Sequence, residues 1–235
     1  KKLTNQLRDS YAYVNTVLPV EIANRAKTAG ASQFIFLSTM GVYGENGGIK
    51  RPVLITAATL PSPNTLYGKS KLDAEQALTF LVSNRFALAI LRPPMVYGQG
   101  AKGNYQGLVK AAKLLPVFPD FDNQRSMLHI DGLSAFVKKL IDDQASGLFF
   151  PQDERYLSTT QMVRDLARDM GTKVRFTRMF NPFLRLLSGR VGLVDKVFGD
   201  LKYEQTMALA STSFPIQASA PVIPDGNEAE QPKVR

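Results

Sequence analysis

The sequence predicts an α/β protein with a parallel sheet that is covered by helices on both faces. Two short apolar segments, SQFIFLST (32–39) and FALAILR (86–92), have the composition of buried strands. A segment with apolar residues at helical spacing follows each of them, so strand and helix alternate along the first half of the chain. Apolar strands that alternate with helices are typical of a parallel sheet buried on both sides.

The other elements follow from the same patterns. Apolar residues recur at helical spacing before the first strand and stop at Gly30, a residue that often ends helices. Ser62, Asn64 or Thr65 can cap the helix that follows the first strand. In chain order we predict helices over 10–30, 65–84, 104–115, 131–142 and 159–171, and a short strand at GLFFP (147–151).

Composition limits the class of protein and of site. The chain has 235 residues, of which 44% are hydrophobic and 21% charged, enough for one large domain or a domain with a small lobe. It has no cysteine, which excludes disulfides and thiolate metal sites and suits a reducing compartment. We therefore expect a cytoplasmic protein without a metal. We expect the single histidine, His129, to be a buried structural imidazole.

The formal net charge of +9 is unevenly distributed. Between Arg155 and Lys202 there are ten Lys or Arg and four Asp or Glu, an excess of six (10 − 4). Such a surface attracts phosphates, nucleic acid or an anionic membrane, or is simply solvated. Within it, the apolar segment 179–199 has interleaved cations and can lie on a membrane surface, pack inside a small lobe or form a homodimer contact. No motif supports nucleic-acid binding, so we expect none.

GQGAKG (98–103) has the Gly-x-Gly-x-x-Gly spacing of a dinucleotide pyrophosphate loop. Pro93 and Pro94 separate it from the preceding strand, and proline is excluded from central strands. The segment PVFPDFDN (116–123) does not provide the second strand that a βαβ unit needs. We therefore predict a mobile loop that leads out of the sheet.

Tyr67 and Lys71 are four residues apart at the start of a predicted helix, so they share one helix face. An ammonium beside a phenol favours the phenolate, lowers its pKa and makes tyrosine usable as a base. The alternative is a solvated helix face on which Lys71 pairs with Glu75. Ser38 and Thr39 end the first strand, and ligands of open parallel sheets bind beyond the carboxyl ends of strands. These groups are expected to meet in one crevice.

Four segments occur in the order FIFLSTMGVYG, SPNTLYGKSKLDAEQ, LRPPMVYGQG and RSMLHIDGL. Together they resemble the extended short-chain dehydrogenase/reductases, and specifically the nucleotide-sugar epimerase/dehydratase family, over about residues 10–150 and more loosely to about 210. The resemblance implies a Rossmann-type parallel sheet with a smaller C-terminal substrate lobe. Its expected parts are 1–97 (dinucleotide-binding domain), 98–124 (loop and helix to the lobe), 125–150 (return to the sheet), 151–210 (lobe) and 211–235 (disordered tail).

The resemblance also implies roles for individual residues and a cofactor, NAD or NADP. Tyr67 would be the catalytic base, Lys71 would hold the nicotinamide ribose and keep Tyr67 acidic, and Thr39 would hydrogen-bond the reacting oxygen. The implied cofactor contacts are Asn15, Ser38, Tyr67, Lys71 and Pro94, and the implied contacts to the substrate diphosphate are Asn104 and Arg125.

The implied reaction is the NAD-dependent 4-epimerisation of a nucleotide-diphosphate sugar. Met40 and Gly41 stand where a dehydratase of this family has an acidic pair, which favours an epimerase or reductase. Met95 stands where many sugar epimerases have an asparagine, so the sugar stays open. A reductase, a dehydratase and a non-catalytic dinucleotide-binding relative remain as alternatives. The family's glycine-rich turn precedes everything found here, so we expect weak NAD binding by this chain alone.

Overall fold

The computed structural model describes residues 9–44 and 47–209. The tail expected at 211–235 lies outside them. A π-helical turn, Tyr13–Val17, precedes the first helix. The helices are α1 (Leu18–Thr28), α2 (Leu66–Thr79), α3 (Asn104–Leu114), α4 (Ile130–Asp142), α5 (Thr159–Asp169), α6 (Asn181–Leu187) and α7 (Gly192–Phe198). The strands are β1 (Gln33–Leu37), β2 (Val53–Ile55), β3 (Ala87–Leu91), β4 (Met95–Tyr97), β5 (Val117–Pro119), β6 (Met127–His129), β7 (Gly147–Phe149), β8 (Arg175–Thr177) and β9 (Leu201–Tyr203).

The central element is a three-stranded sheet in the order β1-β3-β7, in which both pairs of strands are parallel. Phe36 of β1 lies opposite Ile90 of β3. Leu91 of β3 lies opposite Phe149 of β7. The α/β class and the parallel direction of the predicted strands are confirmed.

Helices cover both faces of this sheet. Leu88 and Ile90 of β3 pack in one core cluster with residues of α1 and α2. Ala89 and Leu91, which alternate with them, pack in another cluster with residues of α4. Successive strand residues point to opposite faces, so an unbroken apolar run is needed where both faces are covered. We call this sheet with α1, α2 and α4 the sheet core.

Three further pairs of strands lie outside the sheet core: β2 with β9, β4 with β6, and β5 with β8, all parallel and each of three residues. The prediction that residues 116–123 contain no strand is wrong, because β5 forms there and pairs with β8. Strands this short have no readable side-chain period, so their partners define them. Because β5 does not pair with β4, the loop GQGAKG is not part of a βαβ unit.

The second half of the chain contributes a lobe, by which we mean α3, β5, α5, β8, α6 and α7. Its core is aromatic: the rings of Phe118 and Phe121 each lie 5.7 Å from that of Phe198. Buried Asn123 fastens the lobe internally, since its Oδ1 accepts from the backbone N–H of Thr159 at 2.9 Å.

The segment 179–199 forms the end of a 3-10 turn and then α6 and α7. Leu184 and Phe198 are buried in the lobe core, whereas most other apolar side chains of the segment are exposed. Packing inside the lobe thus accounts for only part of this segment. In the part of the chain that the structure describes, no helix is long and apolar enough to cross a membrane.

Candidate active site at the carboxyl end of β1

Thr39 and Tyr67 meet just beyond the carboxyl end of β1. The Thr39 hydroxyl accepts a hydrogen bond from the N–H of Gly41 at 3.1 Å, which fixes the turn that follows the strand. The phenol of Tyr67 lies close enough to the Thr39 hydroxyl for Thr39 to act to lower its pKa. The two side chains therefore lie next to each other, as a site that binds a hydroxyl group requires.

Local packing places Tyr67 in this position. Thr65, one of the three cap candidates Ser62, Asn64 and Thr65, caps α2: its hydroxyl accepts a hydrogen bond from the N–H of Gly68 at 3.0 Å. A Cβ at Gly68 would lie 2.5 Å from the carbonyl oxygen of Gly41. Only glycine lets the first turn of α2 approach the Thr39 turn this closely.

Burial raises the pKa of Tyr67 above its ordinary value of 10, the neighbouring Tyr11 raises it further, and the Thr39 side chain lowers it. The side chain is nonetheless 39% exposed, so a ligand can reach it. The expected lowering of this pKa by Lys71 is not found in the free chain. Tyr67 is accordingly a phenol, not a phenolate, at neutral pH.

The position of Lys71 explains this difference. Its Nζ donates to the carbonyl oxygen of Leu37 at 3.0 Å and lies 4.7 Å from the ring centre of Phe36. Burial lowers the pKa of Lys71, and the carboxylate of Glu75 opposes that shift. The ammonium is thus held by the end of β1. Lys71 does not form the surface pair with Glu75 that was the alternative, because Glu75 is buried and bound elsewhere.

Ser38 faces the interior of the sheet core. It is 3% exposed, and its hydroxyl donates to the carboxylate of Glu75. The Ser38 hydroxyl is thus engaged inside the sheet core, whereas the next residue, Thr39, lies beside Tyr67.

Asn15 and Pro94 border the site without reaching into the Thr39–Tyr67 contact. Asn15 lies in the π-helical turn, and its Nδ2 donates to the hydroxyl of Ser70 at 3.2 Å. This bond ties the N-terminal helical segment to α2 one residue before Lys71. Pro94 is buried beside Pro93, whose carbonyl accepts from the N–H of Met40 at 2.9 Å.

The expected substrate contacts are farther along the chain. Asn104 is exposed at the first turn of α3 in the lobe. Arg125 is half-buried, its backbone pairs with that of Leu157, and its Nη1 donates to the carbonyl of Gly199 at 2.8 Å. Arg125 therefore links the chain around Leu157, through its backbone, with the chain around Gly199, through its guanidinium.

His129 differs from the expectation of a buried imidazole. Its side chain is 41% exposed, and its Nδ1 accepts from the N–H of Asp131 at 3.3 Å at the start of α4. The glycine loop GQGAKG passes beside it: a Cβ at Gly98 would lie 2.9 Å from the imidazole Nε2. The imidazole thus caps a helix instead of filling the core.

The sequence analysis missed a buried charge network directly beneath the site. Arg92 and Glu75 form an ion pair of 2.5 Å in which each side chain is 5% exposed. Arg92 also donates to the phenol oxygen of Tyr43 at 2.7 Å, and its carbonyl accepts from the phenol of Tyr203 at 2.8 Å. A charged residue at the end of the apolar run FALAILR was the available signal, because such a residue is rarely buried without a partner.

The network joins the elements that carry the site. Glu75 lies one helical turn after Lys71 on α2, and it accepts from Ser38, the neighbour of Thr39. Burial lowers the pKa of Arg92, but Glu75 and Tyr43 outweigh burial and leave it above its usual value. Through Glu75, Arg92 and Ser38 the network links α2 with the ends of β3 and β1.

A parallel sheet with a Thr, Tyr and Lys arrangement at its carboxyl edge defines a short-chain dehydrogenase/reductase type of protein. The model of the NAD dependent epimerase/dehydratase family matches residues 1–148. The chain belongs to this family, and the resemblance stated from its motifs is confirmed.

Curated relatives include a UDP-glucose 4-epimerase of Vibrio cholerae, 33% identical over 163 residues, which are 67% of this chain and 49% of that protein. A second is an N-acetyl-alpha-D-glucosaminyl-diphospho-ditrans,octacis-undecaprenol 4-epimerase of Escherichia coli O157:H7, 26% identical over 156 residues, or 62% and 44% of the two chains. The chain thus spans about half the length of the curated relatives it matches.

Solved structures show the same fold. The UDP-Glc/GlcNAc 4-epimerase of Campylobacter jejuni aligns with a TM-score of 0.64 at 18% identity, covering 92% of this chain and 69% of its own. A dTDP-4-dehydrorhamnose reductase of Clostridium acetobutylicum ATCC 824 aligns with a TM-score of 0.59 at 23% identity. The alignment covers 73% of this chain and 59% of that chain. At these identities the likeness establishes the Rossmann-type fold.

The cofactor of this family is NAD, and one end of it fits the residues described here. Thr39, Tyr67 and Lys71 offer a hydroxyl, a phenol and an ammonium at the carboxyl edge of the sheet. In residues 9–44 and 47–209, however, no glycine-rich turn leads directly from a strand of the sheet core into an α-helix. The described residues therefore suit the nicotinamide and its ribose, not the pyrophosphate.

Proposed function

We propose that this chain carries the catalytic residues of an NAD-dependent 4-epimerase that acts on a nucleotide-diphosphate sugar. The observation that supports it most strongly is the contact between Tyr67 and Thr39, an acid–base group and a hydroxyl donor at one exposed point. NAD, when bound, supplies the reversible hydride transfer that transient oxidation at C4 requires. Relatives named as 4-epimerases support this reaction type.

Each residue has a separate task in the proposed reaction. Tyr67 takes the proton from the sugar hydroxyl as that carbon is oxidised and returns it on reduction. Thr39 donates a hydrogen bond to the same oxygen and orients it. Lys71 would hold the nicotinamide ribose. A nearby positive charge favours the phenolate, so a cation brought close to Tyr67 by ligand binding would lower the raised pKa of the free chain.

The test is product analysis with NAD and UDP-glucose or UDP-N-acetylglucosamine. We expect Tyr67→Phe to reduce turnover by about 10³-fold, because it removes the proton carrier without changing the ring. Tyr13→Phe is the matched control, since Tyr13 is an exposed tyrosine of the π-helical turn that precedes α1. Full turnover by the Tyr67 variant would remove this residue from the mechanism.

A second measurement tests the cofactor end independently of turnover. Saturation-transfer NMR with NAD detects weak binding, and Lys71→Met should reduce the transfer to the ribose protons. Lys69→Met, an exposed lysine two residues away on α2, should not. Equal losses in both variants would argue against a specific ribose contact.

A reductase of the same fold is the second candidate, supported by the solved reductases that share the fold. It would convert a 4-keto nucleotide sugar with net consumption of reduced cofactor, whereas an epimerase consumes none. A non-catalytic role as a subunit of another enzyme is the third candidate: this chain is 34% identical over 94 residues to a protein named methionine adenosyltransferase 2 subunit beta of Rattus norvegicus. The complete Thr39, Tyr67 and Lys71 set favours an enzyme.

A further inference from the structure

The charged residues of the segment from Lys173 to Leu193 in the lobe are all positive. The segment contains no Asp or Glu, and the nearest acidic residues along the chain are Asp169 and Asp195. Its cations are Lys173, Arg175, Arg178, Arg185 and Arg190. We call residues 173–193 the basic apolar segment.

The same segment exposes a set of large apolar side chains. Met179 is 85% exposed and Leu193 is 69% exposed. The full set of exposed large apolar residues in the segment is Met179, Phe180, Phe183, Leu186, Val191 and Leu193. Isolated exposed apolar residues are normal on soluble proteins, but a run of this kind marks an interaction surface.

The structure of α6 explains why these side chains face outward. Leu184 is the buried residue of this helix and packs into the lobe core. Phe183 and Leu186 are three residues apart on α6, so they are neighbours on its surface, and Phe180 directly precedes the helix. Arg185 is exposed on the same helix, and its guanidinium is 6.0 Å from the ring centre of Phe121 at the edge of the lobe core.

The acidic groups nearest to the segment are already engaged. Asp195 accepts hydrogen bonds from Ser188 and from the N–H of Gly189, both at 2.6 Å, and these bonds keep its pKa below the ordinary value despite burial. Asp120 lies 3.4 Å from Arg178, whose side chain remains 82% exposed. Arg185 and Arg190 are exposed and form no ion pair within the described residues, although Nη1 of Arg190 donates to the carbonyl of Leu186 at 3.0 Å.

We propose that the basic apolar segment docks the lobe onto a bilayer that contains anionic phospholipids. Phe183, Leu186 and Leu193 would enter the headgroup and acyl boundary, while Arg185 and Arg190 would contact lipid phosphates, which the planar guanidinium binds well. Nucleic acid would match the cations but leave the apolar groups in water. An anionic lipid surface offers phosphates to the cations and an apolar interior to the exposed apolar side chains. This inference does not depend on the proposed epimerase reaction.

The test is co-sedimentation of the full chain with vesicles made of equal parts of phosphatidylcholine and phosphatidylglycerol, compared with vesicles of phosphatidylcholine alone. We expect binding to the anionic vesicles that weakens as salt rises above about 0.1 M, because the headgroup attraction is screened. Equal binding to both kinds of vesicle, or to neither, would overturn the proposal.

Two variants separate the apolar and the charged contributions. The double variant Arg185→Gln with Arg190→Gln should lose about fivefold in partitioning for each arginine. Phe183→Ser with Leu186→Ser should lose about tenfold or more, since it removes the inserted groups. All four side chains are exposed, so both variants should keep the parent's thermal unfolding midpoint.

Matched controls are Leu60→Ser, at an exposed leucine in a loop outside the lobe, and Lys110→Gln, at an exposed lysine on α3. Both should bind anionic vesicles as the parent does. Sedimentation velocity without lipid completes the test. A self-association that Phe183→Ser with Leu186→Ser abolishes, without vesicle binding by the parent, would assign the surface to a second copy of the chain and contradict membrane docking.

Discussion

In the sheet core, the charges closest to the candidate site are buried and paired, whereas in the lobe the cations lie on the surface beside exposed apolar side chains. Glu75 and Arg92 are each 5% exposed and bound to each other. Arg168 of the lobe, by contrast, is 74% exposed where it pairs with Asp165. A buried pair fixes the geometry of a site because each charge needs its partner, while a surface pair leaves both groups free to meet other ligands.

Glu75→Gln should have the largest effect on stability. It leaves the Arg92 guanidinium buried without a counter-charge and should reduce the free energy of unfolding by about 3 to 5 kcal/mol. It also removes the carboxylate that supports the pKa of Lys71, which should fall further. Urea denaturation measures the first effect.

The double variant Glu75→Gln with Arg92→Met is the control for this result. It should recover part of the loss, because an apolar side chain needs no counter-charge. If Glu75→Gln reduces the free energy of unfolding by no more than the loss of a surface ion pair does, the contrast between the sheet core and the lobe is wrong.

Gly68→Ala should have the next largest effect. The added Cβ would meet the carbonyl oxygen of Gly41 at 2.5 Å, so α2 must move away from the Thr39 turn. We expect a loss of about 1 to 3 kcal/mol, typical of overpacking, although alanine favours a helix. Tyr67 should lose its contact with Thr39, and turnover should drop with it.

Gly107→Ala in α3 is the matched change in the lobe, where no atom lies within 4 Å of the added Cβ. Alanine there should stabilise the protein by about 0.5 to 1 kcal/mol. Thermal unfolding of both variants distinguishes the close approach at Gly68 from a general effect of replacing helical glycines. A change in stability of the same sign in both variants would contradict this explanation.

Tyr203 provides a pH-dependent test. Burial raises its pKa well above 10, so the folded protein keeps a proton that the unfolded chain loses in alkali. Stability conferred by this phenol is complete below about pH 10 and is lost as the pH rises above it, by up to about 1.4 kcal/mol per pH unit. Tyr203→Phe should cost about 1 kcal/mol at neutral pH through the lost bond to Arg92.

Urea denaturation at neutral and alkaline pH checks this sign. The stability of the Tyr203 variant should fall less steeply above about pH 10 than that of the parent. Tyr13→Phe, at an exposed tyrosine, should follow the parent. A steeper fall for the Tyr203 variant would contradict the assignment of a raised pKa.

Arg168→Ala should have the smallest effect. Its pair with Asp165 is 2.9 Å long but exposed, and such pairs contribute about 0.5 kcal/mol or less. Raising the salt concentration should remove even this difference. A loss comparable to that of Glu75→Gln would mean that the lobe surface is organised like the interior of the sheet core.

The main elements of the fold were predictable because their signals are local. The apolar runs of β1 and β3 and the caps at Thr65 and Gly30 are visible in the chain, and they predicted the parallel sheet and its helices. α2 ends at Thr79, not near Asn84, because Ser83 and Phe86 bond each other's backbone in a tight turn. The three-residue strands had no period to read.

The sequence by itself determined the class of fold and the family, and it singled out Thr39, Tyr67 and Lys71 as candidates, because these depend on composition, spacing and motif order. Only the tertiary structure decided what surrounds them. The carbonyl of Leu37 accepts a hydrogen bond from Lys71, and the carboxylate of Glu75 accepts one from the hydroxyl of Ser38. Burial raises the pKa of Tyr67. These effects arise between residues distant in the chain, and pKa values and ion pairs depend on such neighbours and on burial, which no local pattern encodes.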